Sequence, residues 1–260
     1  SRGEEVSAVI GATEVVDGLD HRGGVLHRDR RVDAVTEVEH MPAALAVILQ
    51  DLGGLILITA SEQHSHCWSH VDHCGSGIDF LGQETPQSPD CPRCRERDPA
   101  EVVGDVIRRI ERGVHAEAPA AEVIAWNWSW TMLDPDPSPR IIGELPDGVT
   151  LMSDFERGGW TVRFDRWAFV DEYSLSYIGP SPRMTGARTV AQLNDLDVMA
   201  KLQICATHEV PNTGYVPLPY NVHRKVQKMR EFGISGAMQT WNFANYPGLP
   251  LEVAGWYAWS

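Results

Sequence analysis

The chain is short of positive charge and has no long apolar run. Its 260 residues carry 22 Lys and Arg against 36 Asp and Glu, a formal net charge of −14 at pH 7. Nucleic acids and anionic membranes are bound through basic surfaces, so this balance argues against both as partners. No apolar stretch approaches the length that spans a bilayer. Low-complexity tracts are absent, and the first residues do not read as a signal peptide.

What the sequence does contain is a series of short apolar runs. Residues 55–60 are apolar on both faces of an extended chain and lead directly into Ser61 and Glu62. A strand of this kind is typical of a parallel sheet that is covered by helices. Similar runs predict further strands near residues 122–128, 149–154, 198–204 and 236–241.

Helical patterns separate several of these strands. Asp98 predicts a helix N-cap, with Pro99 at the first helical position and Glu101 completing a capping box. Apolar residues then recur at helical spacing, and Gly113 suggests an end near that residue. A second helix is predicted from about Tyr220 to Phe232. Strands that alternate with helices indicate βα units and a parallel sheet.

The sequence therefore predicts the α/β class and a (β/α)8 TIM-type barrel. Five strands are fewer than the eight of a closed barrel, so we expect a barrel that is incomplete in its N-terminal half and truncated at its C-terminus. Residues 1–40 form an atypical leader without a core-facing period, and residues 41–260 form the later part of the barrel. This second part includes a Cys/His-rich loop at residues 63–98. In such barrels the chemistry lies at the C-terminal ends of the strands, where Glu62 and Asp154 stand.

Several segments in one order resemble a known family of sugar hydrolases. They are SEQHSHCWSH, CPRCRERDPAEVV, EVIAWNWSW, VDEYSLSYIGPSPR, VMAKLQI and GAMQTWNFANYP. This series, over about residues 42–251, resembles bacterial proteins related to family 20 glycoside hydrolases, the β-N-acetylhexosaminidases. The resemblance implies a (β/α)8 barrel whose fourth strand ends in an Asp-Glu pair, with the Glu as general acid. Glu62 matches that Glu, and Ser61 stands where the family has Asp.

Hydrolysis of a glycosidic bond usually needs two carboxyl groups, one acid and one nucleophile or base. Glu62 is the candidate general acid/base. Glu172 is the preferred partner because an aromatic residue follows it in an extended segment, and Asp154 at a strand end comes next. Glu156 and Asp171 are further candidates, and each of these carboxylates could instead be solvated or paired in an ion pair.

Aromatic and amide side chains near predicted strand ends suit a sugar-binding cleft. Aromatic rings stack on the C–H faces of sugars, and amides bind hydroxyl groups, although each ring could equally fill the core. The alternating tryptophans after residue 125 would share one face of their strand. The candidate substrate-binding residues are Trp126, Asn127, Trp128, Trp130, Tyr173, Trp241 and Asn242.

Four cysteines suggest a metal site. Cys91 and Cys94 form a CxxC pair, and Cys67 and Cys74 lie upstream in a histidine-rich segment. This pattern predicts a structural zinc site, and disulfides or free thiols remain alternatives. Bound zinc would favour a cytoplasmic protein, and disulfides a secreted or periplasmic one. Nothing in the sequence suggests an organic cofactor.

Three functions fit these observations. The first is a glycosidase that cleaves a β-glycoside, with a carbohydrate as its substrate and a β-N-acetylhexosaminide as one candidate. The second is a non-catalytic carbohydrate-binding or structural barrel domain with a structural zinc loop. The third is a zinc hydrolase built on the Cys/His-rich loop. The sequence does not indicate an oligomeric state.

Overall fold

The computed structural model describes residues 53–60, 65–69, 88–89, 91–131, 136–205, 216–234, 236–240 and 248–258. These residues form two compact units, one up to Thr150 and one from Leu151 onward. The predicted leader, residues 1–40, lies outside the described residues. Among the helices that the structure describes, none is long and apolar enough to cross a membrane.

Strands and helices alternate along most of the described chain. In order, the elements are β1 (Gly54–Ile58), α1 (Pro92–Arg95), α2 (Pro99–Glu117), β2 (Glu122–Trp126), α3 (Ser138–Gly143), β3 (Val149–Asp154), β4 (Trp160–Arg163), β5 (Arg166–Phe169), α4 (Pro182–Leu193), β6 (Val198–Lys201), α5 (Pro219–Glu231), β7 (Gly236–Met238) and α6 (Leu249–Ala258).

In the first unit, β1 and β2 pair in parallel, with Leu55 opposite Val123 and Ile58 opposite Trp126. The longest helix, α2, connects α1 to β2 and begins as its sequence predicts, because the Asp98 side chain accepts the Ala100 N–H at 2.8 Å. Its buried face carries the predicted apolar residues Val102, Val103, Val106, Ile107 and Val114.

The expected end of α2 near Gly113 is wrong. The helix continues to Glu117, and its last turn closes with a hydrogen bond from the Ala118 N–H to the Val114 carbonyl at 2.7 Å. Val114 is buried, so packing of this extra turn outweighs the roughly 1 kcal/mol that a glycine costs inside a helix.

In the second unit, β6 pairs in parallel with both β3 and β7. Leu151, Met152 and Ala200 are fully buried, as expected for strands that are covered on both faces. Helix α4 starts at Ser181, whose hydroxyl accepts the Met184 N–H at 3.1 Å. Helix α5 buries Val222, Val226 and Met229, which are further members of the core.

The second unit also contains an antiparallel hairpin that the sequence analysis did not predict. Strands β4 and β5 pair with Trp160 opposite Phe169 and Val162 opposite Trp167. These four side chains lie on one face of the hairpin, and each is more than half exposed. We call them the aromatic face. Gly158, with φ of +83°, turns the chain from β3 into the hairpin.

The α/β class is confirmed, and each of the five predicted strands is present in parallel pairing. A closed barrel is not observed in the part of the chain that the structure describes. The second strand is shorter than predicted, because β2 ends at Trp126 and a turn follows at Trp128. The three alternating tryptophans therefore do not share one strand face.

Candidate functional site

A cluster of charged residues lies at the C-terminal ends of the strands in the second unit. Asp154 is the last residue of β3, and Lys201, the last residue of β6, is its direct neighbour in the parallel register. Both side chains are fully buried. In open and closed parallel sheets alike, this edge is where ligands bind and where catalytic residues stand.

Tyr173 and Glu172 complete this strand-end cluster. The Lys201 ammonium lies 3.3 Å from the centre of the Tyr173 ring and donates to the Gln203 Oε1 at 2.7 Å. Burial raises the pKa of Tyr173 above its usual value, and the negative charges of Asp154 and then Glu172 raise it further. The phenol is therefore a neutral hydrogen-bonding group.

Lys201 is a buried cation among the acidic residues of the cluster. Burial lowers the pKa of Lys201 to about 8, against the opposing effect of the Glu156, Asp154 and Glu172 charges. At pH 7 most molecules carry the ammonium form.

Glu156 has a different task from Asp154, although the two residues are almost adjacent. It is fully buried, and its Oε1 accepts the Lys225 ammonium at 2.6 Å and the Gln203 N–H at 3.0 Å. Lys225 also donates to the carbonyl oxygens of Gln203, at 2.9 Å, and Ser174. This buried ion pair ties α5 to the segments that follow β3, β5 and β6, so Glu156 anchors the candidate site.

Lys201 and Lys225 were not singled out from the sequence, although both left a signal there. Lys201 interrupts an otherwise apolar run, and Lys225 falls on the same helix face as Val222 and Met229. A lysine in such a position must be buried with partners, or must reach the surface along its stem. The partners of Lys225, which are Glu156 and two backbone carbonyls, are distant from it in sequence.

In the first unit, the tryptophans after β2 differ in exposure. Trp126 and Trp130 are buried, and the Trp130 indole donates to Thr59 Oγ1 at 3.0 Å. Asn127 is also buried, whereas Trp128 is partly exposed and stands 6.0 Å from Trp126, centre to centre. The roles of these side chains in sugar binding stay predictions, with Trp128 as the accessible ring.

Four of the residues that the sequence predicts for the site lie outside the described residues: Glu62, Cys74, Trp241 and Asn242. Thr59 and Ala60, at the end of β1, are described. The Thr59 carbonyl accepts the Ser129 hydroxyl at 2.6 Å, which joins this strand end to the turn after β2.

Three of the four candidate metal ligands come together in the first unit. The sulfur atoms of Cys67, Cys91 and Cys94 lie within 4.8 Å of one another, and all three are free thiols. Cys91 is the N-cap of α1, and the backbone N–H groups of Cys94 and Arg93 act on its sulfur. These donors lower the pKa of the Cys91 thiol to about 7, the N–H of Cys94 contributing most.

No protein-family model and no curated protein matches this chain. Among solved structures, it is similar to an endoglucanase, with a TM-score of 0.34 and 12% identity over 60% of this chain and 55% of that one.

Two further solved structures are similar at the same level. A Paenibacillus polymyxa xyloglucanase from glycoside hydrolase family 44, solved with xyloglucan, has a TM-score of 0.41 and 12% identity over 96% of this chain and 53% of that one. A D-psicose 3-epimerase has a TM-score of 0.31 and 13% identity over 85% of this chain and 78% of that one. The chain spans about half the length of both hydrolases, and likeness at this level assigns no family.

Proposed function

We propose that this protein is a glycoside hydrolase that cleaves a β-glycoside. The proposal is carried by the strand-end cluster of the second unit, in which a buried carboxylate, Asp154, lies beside Lys201 and Tyr173. Glycoside hydrolysis passes through an oxocarbenium-like transition state, and a carboxylate at the reacting face stabilises its positive charge. Asp154 is the second carboxylate of our mechanism, in preference to Glu172, because it is fully buried at a strand end.

Glu62 is the proposed general acid/base. Its assignment rests on its place directly after the first apolar strand and on the resemblance to family 20. That resemblance also makes a β-N-acetylhexosaminide the first substrate to test. Lys201 and Tyr173 are positioning residues in this scheme, since Lys201 is the direct neighbour of Asp154 in the parallel register and the Tyr173 ring contacts the Lys201 ammonium.

The aromatic face of the β4–β5 hairpin supports an extended carbohydrate as the ligand. The hairpin follows Glu156 and precedes Glu172, so it is the connection between two segments of the charged cluster. Its base is held by hydrogen bonds of 2.8 Å from the Gly158 N–H to the Val170 carbonyl and from the Val170 N–H to the Gly159 carbonyl. Exposed rings on such a support can stack on sugar units next to the one that reacts.

This aromatic face also favours one alternative, a carbohydrate-binding domain without catalysis. Such a protein would need the exposed rings and not the carboxylates. Measuring binding and turnover separately on the same glycans distinguishes the two functions. Binding without hydrolysis of any β-glycoside would favour the alternative, and absence of both would contradict the proposal.

Replacing Trp167 with alanine should weaken the binding of a polymeric β-glycan. Loss of one stacking contact is expected to lower the affinity roughly 2- to 10-fold, while turnover of a small aryl glycoside stays unchanged. Isothermal titration calorimetry and steady-state kinetics measure the two effects. Trp256→Ala is the matched control, because Trp256 is an equally exposed tryptophan on α6. Equal losses of affinity in both variants would contradict a role of the hairpin in glycan binding.

Replacing Glu62 with glutamine should slow hydrolysis most for substrates with poor leaving groups. A general acid protonates the departing oxygen, so its loss is expected to lower turnover of an alkyl β-glycoside by at least roughly 10²-fold. A nitrophenyl β-glycoside, whose leaving group needs little protonation, should be affected less. Glu117→Gln, at the exposed end of α2, is the control. Equal rates for wild type and Glu62→Gln on both substrates would remove Glu62 from the mechanism.

A further inference from the structure

The Cys67, Cys91 and Cys94 sulfurs are arranged as ligands of one ion. They lie within 4.8 Å of one another. Around a tetrahedral zinc ion with bonds of about 2.3 Å, sulfur atoms stand about 3.8 Å apart. A small contraction therefore brings all three into a single coordination sphere. All three are free thiols.

Local backbone structure already orients two of these ligands. Cys91 precedes Pro92, which is the first residue of α1, and the Arg95 N–H donates to the Cys91 carbonyl at 2.9 Å. This turn aims the Arg93 and Cys94 N–H groups at the Cys91 sulfur. Backbone donors to a thiolate offset its charge and hold it in place, which is the usual outer-shell arrangement around a CxxC metal ligand pair.

The third ligand comes from a different part of the first unit. Cys67 lies in the turn at residues 65–69, soon after β1. This turn has its own bonds, since the Ser69 hydroxyl accepts the His66 N–H at 3.3 Å and the Ala60 N–H donates to the Ser65 hydroxyl at 3.3 Å. Cys67 is an exposed residue with a free thiol, so an ion can reach it from solvent.

We propose that Cys67, Cys91 and Cys94 bind one zinc ion through their thiolate sulfurs. A set of three thiolates favours zinc over the hard cations calcium and magnesium. The ion joins the turn after β1 to the start of α1, two segments that are separated by residues 70–90. It therefore stabilises the first unit at the strand that precedes Glu62. The inference does not depend on the proposed hydrolase activity.

Metal content tests the site directly. The full chain, expressed with zinc in the medium and purified without chelator, should carry one zinc per chain by elemental analysis and native mass spectrometry. A Cys94→Ser variant should lose the ion. Cys205→Ser is the matched control, because Cys205 is a buried thiol in the second unit and should leave the zinc content unchanged. Equal loss of zinc in both variants would overturn the proposal.

A second measurement remains informative if Cys94→Ser fails to fold. Cobalt added to the metal-depleted wild-type chain should give an intense sulfur-to-cobalt charge-transfer band. Peptide mapping after alkylation should show Cys67, Cys91 and Cys94 protected with metal bound and reactive after its removal. Absence of the band, or a disulfide between any two of the three in protein kept from reductant, would overturn the proposal.

The same mapping tests Cys74, which the sequence predicts as the fourth ligand. A Cys74→Ser variant that retains its zinc would contradict this prediction and support a site of three thiolates. Loss of zinc in both Cys74→Ser and Cys94→Ser would support a closed site of four thiolates, which is typical of structural zinc.

Discussion

An Asp154→Asn variant is expected to hydrolyse β-glycosides on the order of 10⁴-fold more slowly than the wild type. Asparagine keeps the shape of the side chain and removes the charge that would stabilise the transition state. In contrast to Glu62→Gln, the loss should be similar for good and poor leaving groups, because no proton transfer to the leaving oxygen is involved. Steady-state rates on alkyl and nitrophenyl β-glycosides measure this directly.

Two controls separate a chemical role of Asp154 from a structural one. Asp197→Asn changes an exposed carboxyl that directly precedes β6, at the opposite end of that strand, and should leave the rate unchanged. Circular dichroism at the assay temperature should show that Asp154→Asn is folded, and it should still bind an unreactive glycan. A folded Asp154→Asn protein with turnover within about tenfold of wild type would rule out Asp154 as the second carboxylate.

Replacing Lys225 with methionine is expected to lower the free energy of unfolding by about 3–5 kcal/mol. Lys225 donates to three acceptors, the carboxylate of Glu156 and the carbonyls of Ser174 and Gln203, and thereby uses all three of its N–H bonds. Methionine fills a similar volume but leaves the Glu156 charge buried without its ion-pair partner. Urea unfolding that is followed by tryptophan fluorescence gives the change.

A lysine one turn away on the same helix supplies the matched control. Lys228 pairs with Glu231 at 2.7 Å, but both side chains are substantially exposed. Lys228→Met should therefore cost no more than about 1 kcal/mol. A double variant, Lys225→Met with Glu156→Leu, should recover part of the stability, because no charge is then left buried. Equal stability losses for Lys225→Met and Lys228→Met would contradict the buried ion pair.

The five parallel strands and two of the helices could be predicted, because their own residues determine them. Val149, Leu151 and Met152 give β3 its apolar run, and Asp98 with Pro99 marks the start of α2. The hairpin was missed for a physical reason. Its turn at Phe164 and Asp165 places both residues at positive φ, of 50° and 60°. Turns of this type usually contain Asn-Gly or Asp-Gly, so Phe-Asp carries no recognisable signal.

The candidate site was predictable in part. A carboxylate that follows an apolar strand could be recognised, and Asp154 was among the candidates. The residues that surround Asp154 could not be predicted, because the pairing of Asp154 with Lys201 depends on the register between β3 and β6. Likewise, the choice between Asp154 and Glu156 needed Lys225, which comes from a helix that lies later in the chain.

Lysine is scarce in this chain, and its distribution has a practical consequence. The 260 residues include three lysines, Lys201, Lys225 and Lys228. The first two have no exposed side-chain surface, whereas Lys228 is 38% exposed. Besides the α-amino group, amine-reactive labels should therefore modify a single lysine of the folded protein, Lys228 on α5. Labelling of Lys201 or Lys225 would then report that the second unit has opened.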